Sequence, residues 1–176
     1  MGNNSYNAYY LGVQIGIGRV FASVNSRLAW TSIEYAKQNA TALHAAGLLD
    51  SNNLAILTQI RQFVPYGESF AERSLLGEGG LHDTLVGITE NFGLMRSPYG
   101  TIYHFGFWVG LAEAQASTGD PASVPHKQAA LRKAKEYAAL LEDDYRISAD
   151  EIFVDADHPT LQRSRESWGE MFRQYA

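Results

Sequence analysis

The chain has 176 residues, 45% of them hydrophobic and 19% charged, with a formal net charge of −5. That composition supplies a substantial core within a length typical of one globular domain. There is no cysteine, which excludes a disulfide framework, thiolate catalysis and Cys-ligated zinc.

The opening "MGNNSYN" has neither the basic start nor the apolar run of a secretory signal, and Tyr6 stands where a myristoylation signal needs Ser or Thr. A cytoplasmic protein is the expectation, and the sequons at Asn3 and Asn39 lose their force. From Tyr9 to about Val24 apolar residues surround a helix almost completely. Gln14 and Arg19 interrupt that run within about 16 residues, short of the roughly 20 a membrane span needs. Gly12, Gly16 and Gly18 form a strip along it. Each glycine costs about 1 kcal/mol relative to alanine inside a helix, so the strip predicts close approach of another backbone. A second helix is predicted from Arg27 to Ala46, with Trp30, Ile33, Ala36, Ala40 and Leu43 on one stripe and Gly47 as its left-handed stop. Asp50 caps a third, expected to run until just before Pro65.

Residues 65–100 read as a Gly-rich connection broken by "PYG", "GEGG" and "SPYG", with one helix at "LHDTLVGITENF", where Leu81, Leu85, Ile88 and Phe92 share a face. Beyond it the opening pattern returns. Tyr9, Gly12 and Gly16 recur at a constant offset as Tyr103, Gly106 and Gly110, "YAKQNATAL" as "KAKEYAALL", and the Asp50 cap as the "SADE" that begins at Ser148. The one length change falls in "TGDPASVP", where turn residues predict a loop. The expected architecture is all-α: one domain over 1–176 built from two related three-helix units, at about 8–64 and 101–157. An amphipathic helix over 158–176 would close it through Leu161, Trp168, Phe172 and Tyr175. Gly12, Gly16, Gly106 and Gly110 should meet where two helices cross.

Within the second unit, "WVGLAEAQASTGD" places Trp108, Leu111, Ala112, Ala114, Gly119 and Asp120 so that it resembles the first helix of a tetratricopeptide repeat. "AALRKAKEYAALL" would be the second helix, after a loop longer than that family uses. The first half fits at Ile17, Gly18 and Phe21, with Gln14 in place of the tryptophan, and no period of about 34 residues runs through the chain. The resemblance implies a helical scaffold that binds peptides or proteins.

Chemical motifs are sparse. The glycines of "GVQIGIG" lie in an apolar helix with no Lys-Ser/Thr after them, and neither a G-x-S-x-G nor an H-E-x-x-H is present. "DADH", Asp155 to His158, lacks the rest of a calcium loop and reads as a cap before Pro159. An alternative function starts from "LHD". HD-type metal phosphohydrolases are all-helical and bind a divalent ion through a His, a later His-Asp pair and a still later Asp. His44, His82, Asp83 and Asp150 have that order, and imidazole with carboxylate suits a water-activating transition metal. Each residue also has a local explanation: His44 and Asp83 at favourable helix ends, Asp150 in a cap.

Charge is unevenly placed. Glu142, Asp143, Asp144, Asp150, Glu151, Asp155 and Asp157 face only Arg146 in their segment, whereas Lys127, Arg132, Lys133 and Lys135 occupy the earlier part of the helix from Pro125 to Tyr145. The basic group is small and lacks interleaved aromatics, which argues against nucleic acid. The expected role is non-enzymatic, without a cofactor: an interaction or scaffold protein for a protein or peptide partner, or for a second copy. Lys133, Lys135, Asp143 and Asp144 would orient a two-fold dimer, with Trp168 and Phe172 adding apolar contact. The phosphohydrolase is the alternative, and a small-ligand pocket among Tyr103, His104 and Trp108 is a third reading.

Overall fold

The computed structural model describes residues 2–149 and Ile152. The chain order is α1 (Gly2–Ser23), α2 (Leu28–Ala45), α3 (Ser51–Thr58), β1 (Phe63–Tyr66), β2 (Ser69–Glu72), α4 (Leu81–Phe92), α5 (Tyr99–Ser117), a 3-10 turn (Pro121–Ser123) and α6 (Val124–Tyr145). The fold is all-α in class, with one two-stranded hairpin inserted. The expected helix over 158–176 and the second SADE cap lie outside the described residues. Among the described residues no helix is long and apolar enough to cross a membrane.

The centre of the molecule is the crossing of α1 and α5. A Cβ on Gly12 would collide with the Tyr103 carbonyl, and one on Gly106 with the Tyr9 carbonyl. Gly16 stands in the same relation to the Phe107 carbonyl, and Gly110 to the Val13 carbonyl. The second neighbours are also backbone: Phe107 N lies 2.6 Å from the ideal Cβ of Gly12, and Leu111 N 2.8 Å from that of Gly16. The partners advance in the same sense along both helices, so α1 and α5 run parallel. The contacts also exchange: the atom that Tyr9 offers to Gly106, Tyr103 offers to Gly12. Glycine is required here because the two backbones occupy the space a methyl group would fill.

On this crossing α2 packs against α1, α6 against α5, and α4 against α1. The stripe predicted for α2 is buried throughout: Trp30, Ile33, Ala36, Ala40 and Leu43. Gly18 faces outward from the crossing, its ideal Cβ 3.3 Å from Ile33 Cδ1 and from Leu85 Cδ1, so α2 and α4 meet over it. Helix α2 ends as its sequence requires. Gly47 takes φ +77°, its N–H bonds the His44 carbonyl, and the Leu48 N–H reaches back to the Leu43 carbonyl at 2.9 Å. Asp50 then caps α3, accepting from Asn53 N at 2.7 Å.

Two boundaries depart from expectation. Helix α1 begins at Gly2, a full two turns before Tyr9. Helix α3 stops at Thr58 instead of continuing toward Pro65. Ile60, buried after the α3 terminus, anchors the turn, and "FVPYGESFAE" forms an antiparallel hairpin with Tyr66 opposite Ser69. Gly67 takes φ +60° at the first position of its two-residue turn while Glu68 does not, the arrangement of a type II′ hairpin.

Two glycine substitutions should move stability in opposite directions. Gly87, within α4, has open space around its missing Cβ. Gly87→Ala is expected to stabilise by roughly 0.5–1 kcal/mol through helix propensity. Gly110→Ala, with the same propensity gain, is expected to destabilise by about 1–3 kcal/mol because its Cβ forces the helices apart. Urea denaturation of both variants tests the crossing, and equal stabilisation would contradict it.

Candidate functional site

Among the described residues, His44 is not brought together with His82 and Asp83. His44 lies in the last turn of α2, its Nδ1 2.8 Å from the Leu49 carbonyl oxygen. Leu49 lines a cleft of about 260 Å3 with Leu48, Asp50, Asn91, Leu94 and Met95, which places this turn beside the C-terminal end of α4. His82 and Asp83 are in the first turn of the same helix. Roughly 14 Å of helix at 1.5 Å per residue separates His82 from Asn91. Among the described residues no group of three or more His, Asp or Glu side chains is placed to hold a metal ion. Asp150 lies outside them.

Tyr103 and His104 are in edge contact, 5.4 Å between ring centres. Tyr103 is fully buried, its hydroxyl donating to the Thr89 carbonyl at 2.9 Å and its ring set edge-on to Phe92. Burial pushes its hydroxyl far above the usual tyrosine range, against the smaller opposing pull of Arg19. Trp108 packs edge-on against Phe107, 5.0 Å between ring centres. His104 is half-buried and stacks on Tyr137 of α6 at 5.1 Å, while its other side lies directly over Gly93, where a Cβ would meet the imidazole.

The structure instead gathers a polar cluster that sequence reasoning missed. Arg19, noted from the sequence only as a break in an apolar run, sets its guanidinium over the Phe107 ring, 5.3 Å from the centroid. Its Nε is buried with no hydrogen-bond partner among the described residues. Burial pulls its pKa down, Tyr103 and Glu90 acting the other way. Glu90, on the exposed face of α4, also exerts its field on His104 and Tyr137. The Glu90 carboxylate of α4 thus acts on a guanidinium from α1, an imidazole from α5 and a phenol from α6, the last two stacked on each other. Nothing in the local sequence marks Glu90 or Tyr137, because their proximity follows from helix packing alone.

The second feature is apolar. All four residues of β1 and all four of β2 are exposed, including Phe63, Val64, Tyr66 at 75% and Phe70 at 71% exposure. The hairpin is tied to the body at its base. Arg27 Nε lies 3.0 Å from Glu72 Oε1, Arg73 N–H donates to the Gln62 carbonyl, and Arg73 Nη2 donates to Thr84 Oγ1 at 2.9 Å. Among the described residues its tip is held by its own turn, where Ser69 Oγ donates to the Tyr66 carbonyl.

The charged ends of α6 are exposed at Lys133, Asp143 and Asp144, and partly buried at Lys135. Lys133 Nζ already pairs with Glu136 of its own helix at 3.2 Å. The acidic end, with Glu142, Asp143, Arg146 and Ser148, lines an open recess of about 480 Å3. Trp168 and Phe172 lie outside the described residues. No family model, curated protein or solved structure matches the chain.

His104 gives a pH prediction with a definite sign. Desolvation lowers its pKa, Glu90 on α4 opposes that shift, and the Tyr137 ring covers it from α6. A histidine kept neutral by folding contributes stability that is present above its unfolded pKa, about 6.5, and is lost as the pH falls below it. Thermal unfolding at pH 7.5 and 5.0 should show a smaller loss of Tm for His104→Phe, which keeps the ring over Gly93, than for the native chain. Equal losses would assign the pH dependence to other groups.

Proposed function

We propose that this chain is a non-enzymatic helical interaction protein, and that the hairpin over 63–72 is its docking element. The observation that carries the reading is the exposure of Phe63, Val64, Tyr66 and Phe70 on a projecting two-stranded arm. An isolated two-stranded hairpin is marginal in water, and exposed apolar clusters mark interaction sites. A covering partner would remove both costs. The α6 charges serve this role less well, because Lys133 is engaged within its own helix.

The body is read as two related helical units that carry this arm. The support is the exchange of contacts at the α1–α5 crossing, where the Tyr9–Gly106 and Val13–Gly110 approaches have counterparts in Tyr103–Gly12 and Phe107–Gly16. Each unit then contributes a glycine helix to the centre and a flanking helix, α2 or α6, to the outside. The arm belongs to the connection between them.

A photo-crosslinking residue placed at Tyr66 should capture protein in extracts of the native host. The same residue at Leu140, also exposed but on α6, should capture much less. Equal labelling at the two positions, or none at Tyr66, would remove the hairpin from the interaction and this reading with it.

A further inference from the structure

The two edges of the hairpin are not equivalent. Pairing runs Phe63 to Glu72, Val64 to Ala71, Pro65 to Phe70 and Tyr66 to Ser69. The Arg73 N–H bonds the Gln62 carbonyl, which makes that pair a hydrogen-bonded one and fixes the alternation. Val64, Ala71, Tyr66 and Ser69 then point their amides inward. Phe63, Pro65, Phe70 and Glu72 direct theirs outward. Pro65 has no N–H, so the outer edge of β1 is blunted at its centre. The outer edge of β2 offers the N–H and C=O of both Phe70 and Glu72.

Resting on the docking role proposed above, we infer that the occupant of this edge is β2 of a second copy, forming a four-stranded antiparallel sheet across a two-fold axis. With Ala71 opposite Ala71 of the partner subunit, Phe70 and Glu72 of each copy exchange backbone bonds with Glu72 and Phe70 of the other. This register uses every outward donor and acceptor of β2. A shift that sets the two Glu72 residues opposite each other would oppose like charges. Glu72 is already neutralised by Arg27, so it brings no free charge to the axis. The outward-amide residues share one face, so Phe63, Pro65 and Phe70 lie there together with Glu72, which stands between Phe63 of its own copy and Phe70 of the partner subunit.

On β2 itself Phe70 is 71% exposed, so its ring lies beside the strand of the second copy. Phe63, Val64 and Tyr66 lie on β1, one strand removed from the pairing edge.

Sedimentation of the full chain between about 1 and 100 μM tests this, with circular dichroism confirming that each variant keeps its helices. The native chain should dimerise. Glu72→Pro removes the outward N–H and leaves the ladder to β1 untouched, and should weaken the dimer about tenfold or more. Phe70→Glu, which sets a carboxylate opposite Glu72 of the partner subunit, should do the same, whereas Glu72→Gln keeps the N–H and should stay within about threefold of native. The Phe70 and Glu72 amides should also gain protection from hydrogen exchange as concentration rises. A monomer at 100 μM would overturn the proposal, as would a dimer indifferent to Glu72→Pro and Phe70→Glu, or one weakened equally by Glu72→Gln. A monomer that still crosslinks another protein through position 66 would leave the docking role standing and remove only the second copy; loss of both removes both.

Discussion

The contact between the backbones of α1 and α5 is the constraint on which the rest of the molecule depends. Carbonyl oxygens of each helix stand where side chains of the other would be, at Gly12, Gly16, Gly106 and Gly110. Four glycines inside helices cost several kcal/mol of propensity in total, roughly 1 each. That cost is offset only if the approach buries apolar area on both sides of the seam, and Tyr9, Val13, Tyr103 and Phe107 supply it. With both helices running the same way, their connection must travel back the length of the bundle. Residues 24–98, with α2, α3, the hairpin and α4, are that return path.

The crossing also explains why the polar cluster exists. Phe107 lies against the seam, and Arg19, a turn beyond Gly16, spreads over its ring. The guanidinium is then close enough to Tyr103 and Glu90 to feel both, yet its Nε has no acceptor among the described residues. Tyr103 solves the same problem differently, by donating to the free carbonyl of Thr89 in α4, which itself is buried and bonds back to Leu85. The position of α4 is thus specified by a hydrogen bond to α5 as well as by the burial of Leu85, Ile88 and Phe92.

The hairpin stands apart from this economy. No residue of β1 or β2 contributes to the core, and its links to the body are polar, through Arg27, Gln62, Arg73 and Thr84. Its strands nevertheless carry the aromatic and branched side chains that a packed sheet uses. The hairpin thus combines core-like composition with surface-like burial.

Local sequence determined the helices whose evidence is local. The stripe of α2, the Gly47 stop, the Asp50 cap and the face of α4 were all legible, because periodicity and capping depend on residues within one turn of each other. The repeated glycines even announced the crossing, since their cost inside a helix demands a backbone neighbour. Other features needed the tertiary structure. The early end of α3 depends on where Ile60 is buried, and the strand character of "FVPYGESFAE" was hidden by its two turn formers, Pro65 and Gly67. His44 and His82 have the order of a metal site, but the fold sets one beside the end of α4 and the other at its start. Arg19, His104 and Tyr137 share no motif with Glu90, because only the packing of four helices brings each of them within its field.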